Sequence, residues 1–121
     1  MSNFSDGHKI TRIHKSVAEQ ITEWIRNNAD DRTPITYKQL CDRVDIDRQF
    51  IGRFLGSLST ECHAHGWPLI SVIVVHPDTG LPDAQFLVMA DRIGRSDVEI
   101  EEESRRVFAH DWQQFMDFIN R

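Results

Sequence analysis

The sequence predicts a mainly α-helical fold with one β-hairpin, a winged helix-turn-helix domain extended by a C-terminal helix. Three observations point there. Three segments with helical apolar spacing, each preceded by a capping residue, fill the first half of the chain. A continuous apolar run, Leu69 to Val75, then meets His76-Pro77-Asp78-Thr79-Gly80 and a second apolar stretch, Gln85 to Ala90. A last helical pattern, rich in aromatics, runs on from Ser96.

Residues 1–15 are polar and without clear period, which predicts a mobile arm. Ser16, with Glu19 three residues on, predicts the start of the first helix, whose inner face is Val17, Ile21, Trp24 and Ile25. After Pro34, Thr36 and Gln39 form a second capping box, and Leu40, Cys41 and Val44 supply the inner face of that helix. Asp45 or Asp47 opens the third helix, with Phe50, Phe54, Leu58 and Cys62 as one stripe and Ile51 and Leu55 beside it. Gly52 and Gly56 lie one turn apart there, at about 1 kcal/mol each against Ala, which predicts close approach by another backbone. The hairpin is expected to turn near residues 77–83. The final helix begins at Ser96, with Glu99 as its capping partner and a stripe running from Ile100 to Ile119. The division is thus arm 1–15, winged-helix domain 16–95 and C-terminal amphipathic helix 96–121 packing on it.

At 121 residues the chain is long enough for one core without staples. Cys41 and Cys62 set no disulfide framework, and no apolar run suits a signal peptide or a membrane span, so a cytoplasmic protein is expected. The net charge of -5 is unevenly placed. Residues 1–60 carry nine Lys and Arg against eight Asp and Glu, and residues 61–121 carry five against eleven. A duplex-binding surface is normally basic, so any such surface belongs to the first half.

The third helix offers Arg48, Gln49 and Arg53 near its start, with Ser57 a turn beyond. Arg and Gln side chains read guanine and adenine edges bidentately in a major groove, although any helix shows such residues to solvent. Asp45 and Asp47 beside them oppose phosphate. Cys62, His63, His65 and His76 lack the paired spacing of a zinc site, and neither metal nor other cofactor is implied. No lysine comes after Lys38, so Asp78 and Asp83 read as turn residues and not as the carboxylates of a nuclease. Both cysteines lie on apolar helix faces and no serine occupies a nucleophile elbow, so no catalytic set is expected.

The segments "ITYKQLCDRV", "RQFIGRFLGSL" and "WPLISVIVVHPDTG" resemble the DNA-binding domain of the O6-alkylguanine-DNA alkyltransferases and alkyltransferase-like proteins. The resemblance places Tyr37 on the tyrosine that presses on the phosphate beside a flipped nucleotide, and Gly52 on the glycine of the recognition helix. Gln49 stands at the arginine-finger position, with Arg48 adjacent. Val74 and Val75 overlay two valines, which puts Ile70-Ser71-Val72-Ile73 where the family has its reactive P-C-H-R. With serine at 71 and valine at 72, the resemblance implies a shared scaffold without an alkyl acceptor or its activating base.

The expected function is therefore non-enzymatic binding of double-stranded DNA, with the third helix in the major groove through Arg48, Gln49, Arg53 and Ser57. Tyr37, Lys38 and the turn near Thr79 would meet phosphate, and Lys9, Arg12 and Lys15 would add salt-sensitive contacts. The alternative is an acidic accessory, inhibitor or immunity module on the same scaffold, binding a basic protein through Glu101, Glu102, Glu103 and Trp112.

Overall fold

The computed structural model describes residues 2–121, leaving only the first residue of the expected arm outside. The described residues form six α-helices: α1 Arg12–Asn27, α2 Tyr37–Val44, α3 Arg48–Ala64, α4 Ala84–Arg92, α5 Ile100–Ala109 and α6 Gln113–Asn120. A 3-10 helix covers Ile70–Ile73, and two short strands, β1 Ile35–Thr36 and β2 Val74–Val75, complete the chain. The protein is mainly helical, and its small sheet is parallel, with Ile35 opposite Val74 and Thr36 opposite Val75.

The expected hairpin does not form. Its first limb, Leu69 to Val75, is buried throughout and becomes the 3-10 helix plus β2, which pairs with β1 and not with the second limb. That second limb is helical. Phe86, Met89 and Ala90 are buried while Leu87 and Val88 face solvent, a spacing that suits a helix lying on a core and not a strand. Asp83 caps this helix by accepting from the Gln85 amide.

Helix α1 starts five residues earlier than expected. Thr11, not Ser16, is the N-cap, and His14 replaces the usual Glu or Gln of the capping box: its Nδ1 accepts from the Thr11 amide at 3.0 Å. The segment before it is no free arm. Phe4 and Ile10 are buried, Asn3 and Lys9 form an antiparallel bridge, and the Ser5 amide and hydroxyl both donate to Glu61 of α3. Helix α2 has the expected Thr36–Gln39 box. Asp45 ends α2 in the left-handed conformation (φ 56°) and Asp47 is the N-cap of α3. The buried stripe of α3 is Ile51, Leu55, Leu58 and Cys62, whereas Phe50 is 46% exposed. The expected last helix is two: Glu99, not Ser96, is the N-cap of α5, and the chain breaks at His110-Asp111 before α6.

Trp112 lies 6% exposed at that break, its indole N–H donating to the Val107 carbonyl. Glu103 is 2% exposed and accepts from the Leu69 amide at 2.8 Å, from Arg95 at 2.9 Å and from Arg106 at 3.0 Å. These bonds tie α5 to the start of the buried run. No helix among the described residues is long and apolar enough to cross a membrane.

This packing has two consequences for stability. Replacing Glu103 with Leu strands the buried Leu69 amide and should lower unfolding free energy by about 2 kcal/mol in urea titrations. Burial pushes the His14 imidazole below its ordinary pKa, so the unfolded chain takes up a proton that the folded chain resists. Stability should therefore fall as pH drops through the unfolded histidine value, and His14→Gln should reduce that fall. His110, shifted the same way by burial, should account for part of the remainder.

Candidate nucleic-acid interface

Helices α2 and α3 meet across the three residues Asp45–Asp47, and both pack on α1. With one face of α3 committed to the core through Ile51, Leu55, Leu58 and Cys62, the opposite face carries Gln49, Arg53, Gly56 and Thr60. Beside this face runs a groove of about 830 Å³. Helix α3 forms one wall, and α4 forms the other through Gln85, Phe86, Val88, Met89 and Arg92. The turn containing Asp6 and His8 closes one side, while Tyr37 and Asp83 stand on its border too.

The two glycines of α3 line this groove and admit no neighbouring backbone, contrary to expectation. A Cβ at Gly52 would meet nothing within 4 Å, and one at Gly56 would meet only Met89 Cγ at 4.0 Å. The space they leave belongs to the groove. Ser71 also lines it, although only 5% exposed. Its hydroxyl lies 2.6 Å from that of Ser59, whose oxygen also accepts the Ser71 amide at 3.0 Å. Ser71 is therefore a bonded structural group.

Tyr37, Arg48, Gln49, Arg53 and Ser57 all come together on this groove. The Arg48 guanidinium carbon lies 3.9 Å from the centre of the Tyr37 ring, and that of Arg53 lies 5.9 Å from the centre of the Phe50 ring. The Tyr37 oxygen accepts the Asp83 amide at 2.8 Å, and burial raises its phenol pKa. The Ser57 hydroxyl donates to the Arg53 carbonyl. Lys38 stays outside the groove lining and pairs with Asp42 at 2.9 Å, which raises its pKa. Gln85 and Arg92 escape the sequence-based site because the helix they belong to reads in part as a strand, and Asp83, its cap, because it reads as a turn residue. The helical spacing of Phe86, Met89, Ala90 and Ile93 is the signal that reveals the helix.

The other candidate residues disperse. Glu103 and Trp112 are buried, leaving Glu101 and Glu102 as the exposed acids of that set, both beside Arg105. His65 bonds to Glu61, His76 bonds to Asp83, and burial of Cys62 drives its thiol pKa far up. Among the described residues no three His, Cys, Asp or Glu side chains are grouped to hold a metal. Compared with known protein families, curated proteins and solved structures, the chain matches none.

Because nothing occupies the space above Gly52, Gly52→Ala should stabilise the protein by about 1 kcal/mol through helix propensity alone. A rise in the urea midpoint checks this. A fall would mean that the glycine is needed for a contact within the folded chain.

Proposed function

We propose that the protein is a non-enzymatic DNA-binding protein that presents α3 to the major groove of double-stranded DNA. The observation that carries this reading is the convergence of Arg48, Gln49 and Arg53 with Tyr37 and Arg92 along one open groove. Arginines position a helix on phosphates and, with glutamine, read base edges. The α1–α2–α3 unit with its short second junction suits a helix-turn-helix. The resemblance to alkyltransferase-like scaffolds adds support: the tyrosine, the recognition-helix glycine and the residue at the cysteine position all border one groove. With a bonded serine at that position, this reading is of binding without group transfer.

Anisotropy titrations with a labelled duplex across salt concentrations test it. Arg53→Ala and Arg48→Ala should each weaken binding by about 1–3 kcal/mol, and loss of a phosphate contact should reduce the salt slope by about one. Gly52→Leu should fill the groove and weaken binding while leaving the fold intact. Wild-type affinity weaker than micromolar at low salt would refute the proposal. Capture of a basic protein that is lost on reversing Glu101 and Glu102 to Lys would then favour the acidic accessory module.

A further inference from the structure

At one end of the groove side chains from four parts of the fold converge around a single carboxylate oxygen. Asp83 Oδ1 lies 3.1 Å from His76 Nε2 and 3.8 Å from Arg48 Nη2. Arg48 in turn stacks on Tyr37, and the Tyr37 ring lies 4.9 Å from that of His76. The Arg48, Asp83 and His76 side chains are 45%, 35% and 36% exposed; Arg48 and Asp83 line the groove, and His76 stands behind Asp83. One anion therefore serves a permanent cation and a titratable one.

We propose that Asp83 is an internal competitor for the DNA phosphate at Arg48, and that protonation of His76 relieves the competition. The inference rests on the DNA-binding reading of α3. With His76 neutral, Asp83 receives an ordinary hydrogen bond from it and its charge is left to Arg48, so a phosphate must displace a carboxylate. With His76 charged, ion-pair attraction adds to the His76–Asp83 hydrogen bond, and Arg48 turns to the incoming phosphate. The cluster then gains one positive charge where phosphate arrives.

The neighbouring charges do not duplicate this arrangement. Asp47 precedes Arg48 in the chain, Asp78 stands in the turn after His76, and Asp42 belongs to α2, where it pairs with Lys38. Asp6 and His8, which pair with each other at 2.9 Å, and Arg53 and Arg92 line the same groove. Among the described residues only Asp83 lies within ion-pair distance of Arg48.

The experiment measures duplex affinity by anisotropy at about pH 8 and about pH 5.5, spanning histidine titration, at fixed ionic strength. Wild type should bind about tenfold tighter at the lower pH. Asp83→Asn should bind tightly at both, since Asn caps α4 as well as Asp does and the fold survives. His76→Gln should lose most of the gain on acidification, and Asp83→Asn should bring no gain once Arg48 is Ala. In parallel, NMR should show the Arg48 guanidinium nitrogen shifts changing between the two pH values in wild type but not in Asp83→Asn. Binding that needs Arg53 but is indifferent to Asp83→Asn would overturn the competitor role alone. Absence of duplex binding in every variant, even where NMR shows Arg48 released, would overturn the α3 reading and this inference together.

Discussion

The fold depends on satisfying the backbone of a seven-residue run that has no solvent face. Leu69 to Val75 are each at most 5% exposed, and a buried amide without a partner costs on the order of 1–3 kcal/mol. A strand in the middle of a large sheet would pair all these groups, but this protein has no such sheet among its described residues. The 3-10 helix bonds its later donors within its own turns, among them Val72 to Leu69 and Val74 to Ser71. Two donors at its start are met by side chains from two neighbouring helices: Leu69 by Glu103 and Ser71 by Ser59. β1 takes over at Val74 and Val75. Each helper is a polar group inside the core, where an isolated one would be costly.

This demand also shapes the groove. Ser59 must face the buried run, which fixes the rotation of α3 about its axis. Gly52, Gly56, Gln49 and Arg53 are then turned to the open side. The other wall depends on Asp83, whose amide is held by the Tyr37 oxygen while its carboxylate caps α4. A hydrogen bond from His76, helped by the Gln85 amide and the nearby Arg48, holds the Asp83 carboxyl below the usual range. The groove is thus a by-product of core satisfaction on one wall and of a tyrosine-anchored cap on the other.

The helix-forming signals of the first half are legible in the sequence because they are local. Thr36–Gln39 is a capping box whatever surrounds it, and the α3 apolar face repeats with helical period. The run at Leu69 to Val75 is not legible, because an apolar stretch buried on all sides has no period to distinguish strand from 3-10 turn. Its partners, Glu103 and Ser59, are 34 and 12 residues away, and no local pattern announces them. Gln85 to Ala90 reads as a hairpin limb only by association with that run, although Asp83 and the Phe86–Met89–Ala90 spacing point to a capped helix. The N-terminal segment is opaque for a similar reason. Two apolar residues, Phe4 and Ile10, anchor it, and its strongest tether is a buried glutamate 56 residues downstream. Of the site, Tyr37, Arg48, Gln49 and Arg53 are legible because they belong to α2 and α3. The α4 wall is not.

Whole-chain charge proves a poor guide to what the groove can attract. The second half is strongly acidic, yet the acids of α5 do not line the groove. Glu103 is spent inside on Arg95, Arg106 and the Leu69 amide, and Glu101 borders a separate hollow of about 620 Å³ with Arg32 and Arg105. The groove itself sees three arginines against Asp6 and Asp83. At ordinary salt, exposed charges beyond about 10 Å are largely screened, so this local excess outweighs the net charge of the chain. The excess is a single unit, and one of its two opposing acids sits against one of the three arginines. In so finely balanced a site, the protonation of one histidine changes the sum by as much as the whole groove carries.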